Sequence, residues 1–190
     1  MRRKLFIILS AFLVVFSTSC YKQPENKLMQ EKGKSQNTVL LLQHQIDSLN
    51  ALGEFDIQVA KDYISNVRLY THEYPEDPIS AELLYHAALM AMTVAKATQD
   101  IDEKESYSQI ALIIFDDIQK VYPEFSGIKN CLFNKGVIFD DILNDFENAE
   151  IFYRMYIATY PTDTLAISLE GYLQFFGKSP EEIMVEYRWR

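Results

Sequence analysis

The stretch Asn148-Ala-Glu-Ile-Phe-Tyr-Arg-Met-Tyr-Ile-Ala-Thr-Tyr-Pro161 decides the fold of this chain. It forms the second half of a predicted helix pair that begins at Asn130. Its packing residues fall on one face of a helix with 3.6 residues per turn, and proline then ends that helix. These packing residues are Ala149, Tyr153, Tyr156 and Tyr160.

The same offsets occur twice more, earlier in the chain. The two further copies are Ala111, Phe115, Ile118, Tyr122, Pro123 and Tyr63, Val67, Tyr70, Tyr74, Pro75. Three copies in one register, one of them without the alanine, predict an internal repeat built from helix pairs. The prolines are 48 and then 38 residues apart, so ten extra residues lie before Ala111. This charged segment, 97–106, is expected to be a loop or a frayed helix extension.

The first helices of the two full repeats also align. Ala88 and Gly136 each lie thirteen residues after a proline, and a small residue there lets the partner helix approach closely. A glycine inside a helix costs about 1 kcal/mol relative to alanine, which close packing at Gly136 is expected to offset. The match is imperfect, because Lys135 stands where Ala87 stands. The other corresponding pairs are Leu84 and Leu132, Tyr85 and Phe133, and Leu89 and Val137.

Composition favours an all-α fold. The chain has 190 residues, 48% of them hydrophobic, which is enough to build a core without disulfides or metals. Only six glycines and six prolines are present, too few for an all-β design with its many turns. The formal net charge of −9 repels phosphate backbones, so nucleic acid is excluded as a partner class.

The N-terminus has the pattern of a secretory signal. Three basic residues precede an apolar run from Leu5 to Phe16 that is too short to cross a bilayer, which takes about 20 residues. A transmembrane anchor is the alternative. We therefore expect a signal peptide at 1–19, a flexible polar tether at 20–36 and a helical domain at 37–190. Within this domain, a leading helix is expected from Thr38 to Leu52.

Local signals mark the other helix boundaries. Ser80 is expected to be the N-cap of a helix that runs from Ala81 to Lys96. A capping helix is expected from Thr164 to Phe176, with Gly177 at its C-terminus. Ser179 and the residues after it predict a last short helix. The Trp189 cluster with Arg188 and Arg190 is expected to be a docked or frayed tail, with contact to a lipid headgroup or a partner as the alternative.

The sequence contains no pattern typical of an active site. The three histidines (His44, His72 and His86) are scattered, and no phosphate loop or nucleophile motif is found, so we expect no catalytic residue, metal, cofactor or small-molecule substrate. The acidic pairs Asp116-Asp117 and Asp140-Asp141 are expected on a solvated helix face, with a groove or ion role as the alternative. Cys131 is expected to pack as a small hydrophobe.

Two parts of the sequence resemble known features of bacterial lipoproteins. The segment Phe16-Ser-Thr-Ser-Cys20 resembles a bacterial lipobox with serine where an aliphatic residue is usual. This resemblance implies lipid attachment at Cys20; ordinary cleavage near Ser19, giving a soluble periplasmic protein, is the alternative. Residues 54–183 resemble the tetratricopeptide repeats of Gram-negative outer-membrane lipoproteins, including the BamD-type β-barrel assembly component and the cell-division coordinator. The chain is short beside the β-barrel assembly component.

The second resemblance implies a right-handed α-solenoid of antiparallel helix pairs whose concave face binds a peptide or partner helix. The implied packing positions are Pro75, Ala88, Ala111, Phe115, Pro123, Gly136, Ala149, Tyr153, Tyr156 and Pro161. The implied groove is lined by Glu82, Tyr85, Leu89, Met92, Asn130, Phe133, Val137, Asp140 and Asp141. The alternative is that the apolar members of this set are simply core.

The expected function is that of a non-catalytic scaffold on the periplasmic face of the outer membrane, held there by its N-terminal lipid. Its expected partners are envelope proteins or peptides, as in outer-membrane protein assembly. A regulatory partner of a peptidoglycan-synthesis or cell-division enzyme is the alternative.

Overall fold

The computed structural model describes residues 24–178 together with residues 181, 182 and 184. The described part of the chain is all-α, as predicted, and contains no strand. Cys20, the signal sequence before it, Ser179 and the Trp189 cluster lie outside the described residues. The helices are α1 (Pro24–Ala51), α2 (Ile57–Glu73), α3 (Ser80–Ala97), α4 (Ile101–Val121), α5 (Ile128–Val137), a π-helical segment (Ile138–Ile142), α6 (Phe146–Thr159) and α7 (Thr164–Leu173).

Consecutive helices pack on one another along the chain. The main contacts join each helix to the one before it and the one after it, and the π-helical segment also reaches α3 and α4. The connections are only three to six residues long, so packed neighbours run in opposite directions. A large core cluster joins α1 to α5, and a second cluster joins α5, α6 and α7.

The three tyrosine-proline pairs end three helices in the same way. Tyr74, Tyr122 and Tyr160 are the C-caps of α2, α4 and α6, with φ/ψ of −129°/59°, −125°/60° and −128°/57°. Each of these residues donates its N–H to the carbonyl four residues earlier. The prediction that the tyrosine-proline pairs mark three helix ends is therefore confirmed.

The turns after the first and third prolines share an ionic cluster that the sequence did not reveal. Lys32 of α1 pairs with Asp77 at 2.5 Å, and Lys129 of α5 pairs with Asp163 at 2.6 Å. Each aspartate also accepts the N–H two residues later, at 3.1 and 2.9 Å. These ion pairs keep the pKa of both aspartates below the ordinary value. The second turn has Phe125 at this position, and it packs on Tyr85 with ring centroids 5.6 Å apart.

The expected close approach at Gly136 is present. A Cβ atom added to Gly136 would lie 2.5 Å from the Tyr153 ring. Ala88, Ala111 and Ala149 are fully buried, as small residues at helix crossings should be. Among the other packing positions, Phe115 and Tyr156 are also buried in the core.

The expectation of an irregular tether up to residue 36 is wrong for the described part of that segment. The segment is helical from Pro24 onward, as the N-terminal half of α1. Its Lys, Glu, Gln, Leu and Met residues are good helix formers, although they lack apolar periodicity. Lys27 and Glu31 also form an i,i+4 ion pair at 3.8 Å, and Lys32 ties this half of α1 to Asp77.

Two other boundary predictions need correction. Ser80 is the first residue of α3 and not its N-cap, which is Ile79 and has no capping side-chain hydrogen bond. The Ser80 hydroxyl instead donates to the Tyr74 carbonyl at 2.8 Å. The charged segment 97–106 is a loop only at residues 98–100. From Ile101 onward it is regular α4, whose start is capped by the Asp100 side chain, which accepts the Glu103 N–H.

The C-terminal helix is shorter than expected. α7 begins at Thr164 as predicted but ends at Leu173, and turns follow as far as Gly177. Gly177 has φ of +70°, a left-handed conformation that favours glycine at the end of a helical segment.

Candidate interaction surface

The apolar residues expected to line a concave groove lie in the packing between helices. Met92 is buried, and Tyr85, Leu89 and Val137 are partly buried against the large core cluster. Phe133 is partly buried in the second cluster, with its ring about 6 Å from those of Tyr153 and Tyr156. These five side chains therefore contribute to the packing between helices.

The polar members of the same set are separated from one another. Glu82 lies 3.1 Å from His86 on the exposed side of α3. Asn130 is partly buried near the start of α5. Asp141 is exposed and forms an ion pair with Lys96 of α3. Each charged member of this group thus has a partner within the chain.

Asp140 is not on a solvated face, contrary to the expectation for the Asp140-Asp141 pair. Its carboxylate accepts the Tyr153 hydroxyl at 3.0 Å and the Tyr172 hydroxyl at 2.8 Å. Burial and the bond to Asp140 raise the pKa of Tyr172 to about 12, and they raise that of Tyr153 as well. Asp140 lies in the π-helical segment and holds α6 and α7 against it. A regular α-helix assumed from sequence does not predict this orientation.

In the other acidic pair, Asp116-Asp117, the first residue has a partner within the chain and the second lines the groove described below. Asp116 is exposed at the surface and forms an ion pair with Lys135. Lys135 itself is buried, only 5% exposed, and its ammonium lies 5.8 Å from the Phe152 ring centroid. This lysine thereby links α5 to both α4 and α6. The solvated-face expectation fits Asp116 only in its exposure, since its carboxylate has a fixed partner.

An open groove lies between α2 and α4, and we call it the α2–α4 groove. Its volume is about 550 Å³, within the range of about 300–1,000 Å³ that is usual for binding pockets. It is lined by Arg68, Leu69, Thr71, His72, Pro75, Leu84, Ile114, Asp117, Val121 and Tyr122. These residues belong mainly to α2 and α4, whereas the concave groove was expected along α3 and α5.

The α2–α4 groove has an apolar floor and two apolar edges. Leu84 and Ile114 form part of the floor and are nearly inaccessible to solvent. Leu69 on α2 is 56% exposed and Val121 on α4 is 51% exposed, which is high for residues of this size. Tyr122 closes one end by donating its hydroxyl to the Pro75 carbonyl at 2.9 Å. The signal for this site in the sequence was a large apolar residue on the solvent-facing side of each helix, Leu69 on α2 and Val121 on α4.

Neither a metal-binding cluster nor a reactive thiol is found among the described residues. No group of three or more His, Cys, Asp or Glu side chains between residues 24 and 178 is arranged to hold a metal ion. Cys131 is fully buried, as predicted, and burial raises the pKa of its thiol to about 11. A thiol in that state is a poor nucleophile at neutral pH.

Within the same residues, no helix is both long enough and apolar enough to span a bilayer. Comparison of the chain with protein-family models, with curated proteins and with solved structures gave no significant match.

Proposed function

We propose that this protein is a non-catalytic scaffold of the tetratricopeptide type that binds other proteins of the bacterial envelope. The observation that carries the proposal is the α2–α4 groove, an open apolar surface in a stack of helix pairs. Three helix ends with matching backbone angles and two matching lysine–aspartate clusters support the repeat interpretation. Solenoids built from helix pairs commonly use extended surfaces to bind partners.

The proposed location is the periplasmic face of the outer membrane, with the lipid attached at Cys20. The lipobox-like segment before Cys20 supports this location, and several acyl chains, each contributing about 0.8 kcal/mol per buried CH₂, would hold a folded domain on a membrane. Mass spectrometry of the mature N-terminus tests the proposal directly. An acylated Cys20 supports it, and an unmodified N-terminus near residue 20 refutes it. Cys20→Ala is the control and should give a soluble periplasmic protein.

Crosslinking in cells followed by affinity capture tests the scaffold proposal. Recovery of β-barrel assembly proteins supports a role in outer-membrane protein assembly. Recovery of peptidoglycan synthases or division proteins supports the regulatory alternative. If neither class is enriched over the same capture with an unrelated lipoprotein, the scaffold proposal is wrong.

A further inference from the structure

The stack has three junctions that correspond to one another when the chain is aligned at Pro75, Pro123 and Pro161. Seven residues before each proline stands a charged residue on the second helix of the repeat: Arg68, then Asp116, then Arg154. Twelve residues after each proline stands a residue of the next helix: Ala87, then Lys135, then Leu173. Lys135 and Leu173 contact their junctions, and Ala87 is fully buried in α3. The three junctions share one backbone plan and differ in these two side chains.

At the second junction the residues at these two positions, Lys135 and Asp116, form an ion pair with each other. The buried Lys135 ammonium bonds to the Asp116 carboxylate and to Gln119, and its stem covers apolar surface near Phe152. The chain itself thus supplies both an aliphatic stem for the junction and a counter-ion for the charged position.

At the third junction the charged residue also has a partner. Arg154 pairs with Glu150, one turn earlier on α6, with its guanidinium 2.6 Å from the carboxylate. Leu173 places a large apolar side chain in the wall, and the remaining space is about 370 Å³. This junction therefore leaves less volume than the first and no unpaired charge at the equivalent position.

At the first junction, which is the α2–α4 groove, the described chain supplies neither a long aliphatic side chain at the first position nor a counter-ion for the charged residue. Ala87 lies one turn after Leu84 on the same helix face and has no stem to extend into the groove. Arg68 forms no ion pair with any residue from 24 to 178, and Asp117 on the opposite edge does not reach it. The groove is correspondingly larger, at about 550 Å³.

We propose that the α2–α4 groove binds an amphipathic segment of a partner protein. This segment packs an aliphatic side chain between the exposed Leu69 and Val121 and places a carboxylate on Arg68. This inference rests on the proposed function and specifies the partner's chemistry. At the second junction Lys135 supplies an aliphatic stem and a positive charge that pairs with Asp116. At the first junction the partner would supply an aliphatic side chain and a negative charge that pairs with Arg68. An arginine beside an apolar floor binds a carboxylate through charge-assisted, often paired hydrogen bonds.

The charges around the groove also limit the partner. Asp117 on the α4 edge and the net charge of −9 disfavour a polyanion such as a nucleic acid. A partner with a single carboxylate beside its apolar side chains avoids repulsion by Asp117, because the carboxylate binds Arg68 on α2 and lies away from α4. A helix laid between α2 and α4 presents such a pair of groups at i and i+3 or i+4.

The test uses a display library of helical peptides with two fixed leucines at i and i+4 and random residues at the neighbouring positions. Selection on the full-length protein should enrich Asp or Glu beside the leucines. Selection on Arg68→Glu should enrich Lys or Arg at the same positions. The best wild-type peptide should bind Arg68→Glu at least about tenfold more weakly, and its Glu→Lys version should regain that loss. Lys34→Glu makes the same change of charge at an exposed position on α1 and should leave binding unchanged.

A second variant copies the second junction into the first. Ala87→Lys combined with Arg68→Asp should fill the groove with the chain's own lysine and remove peptide binding. Circular dichroism melts establish that each variant is folded. Because Arg68 is exposed, Arg68→Glu alone still decides the question if the double variant fails to fold.

The proposal is overturned if no peptide is enriched, if enriched peptides show no preference for acids, or if Arg68→Glu binds them as tightly as the wild type. It is also overturned if the protein forms a dimer that Arg68→Glu dissociates, because a second copy then occupies the groove. Failure of the scaffold proposal is distinguishable from these outcomes. If Arg68→Glu still captures the same envelope partner in cells, the scaffold stands and this site is wrong.

Discussion

Replacing Gly136 by alanine tests the packing between α5 and α6 most directly. The added Cβ would lie 2.5 and 2.6 Å from two atoms of the Tyr153 ring, closer than real Cβ contacts allow. This ring cannot move freely, because it packs against Phe133, Tyr172 and Phe176 and its hydroxyl donates to Asp140. The substitution must therefore displace the Tyr153 ring or push the two helices apart.

Three terms set the magnitude. Overpacking of a filled core costs about 1–3 kcal/mol. Loss of the Tyr153–Asp140 hydrogen bond, which has a charged acceptor, costs about 1.5–3 kcal/mol if the ring moves. The higher helix propensity of alanine returns about 1 kcal/mol. We expect Gly136→Ala to lower the free energy of unfolding by about 2–4 kcal/mol, and Gly136→Leu to lower it further.

Urea denaturation and thermal melting followed by circular dichroism measure this change. At about 2–4 °C per kcal/mol for a chain of this size, the melting temperature should fall by roughly 5–15 °C. Gly171→Ala is the matched control, since it lies inside α7 and its added Cβ has no atom within 4 Å. It should stabilise the protein by about 0.5–1 kcal/mol. If Gly136→Ala melts at or above the wild-type temperature, the close approach described here is wrong.

Four further predictions follow from buried or paired groups. Tyr63→Phe should leave stability unchanged or raise it by about 1–3 kcal/mol in urea denaturation, because the buried Tyr63 hydroxyl has no hydrogen-bond partner within the described residues; a loss above 1 kcal/mol contradicts this. Lys135→Met should stay within about 1 kcal/mol of the wild type in the same assay, whereas Lys135→Ala should cost about 2 kcal/mol more, since it removes the aliphatic stem. The ion pair with Lys32 lowers the pKa of Asp77, so its contribution to stability is present above about pH 4 and is lost as the pH falls through the lowered value. Denaturation between pH 3 and 7 should show a weaker pH dependence for Asp77→Asn, and an unchanged dependence counts against this pair. Cys131 should resist iodoacetamide at pH 8 until urea unfolds the chain, as peptide mass spectrometry can show; rapid native labelling would falsify its burial.

The positions of three helix ends could be predicted from the sequence because their cause is local. Proline has no N–H and clashes with a continuing helix, so Tyr74, Tyr122 and Tyr160 end their helices whatever surrounds them. The close helix packing at Gly136 and Ala88 could also be predicted, because both small residues lie thirteen residues after a proline. Both predictions depend on short-range chemistry and on repetition.

The remaining features depend on contacts between residues distant in sequence. The first turns of α1 lack apolar periodicity, and their tertiary ion pair is between Lys32 and Asp77, 45 residues later. The orientation of Asp140 depends on a π-helical segment that helical periodicity does not predict. In the α2–α4 groove Arg68 lacks the ion pair that Asp116 and Arg154 form at the equivalent positions, a difference that the sequence alone does not show.

The order of the packing contacts also has a consequence for biogenesis. Because nearly every helix rests on the one made just before it, each new segment meets its docking surface already present when it leaves the ribosome or a translocation channel. The α1–α2 hairpin is available once residue 73 has emerged, and later helices add to it in sequence. No early segment has to wait for the C-terminus, so the helices can pack one after another as the chain emerges.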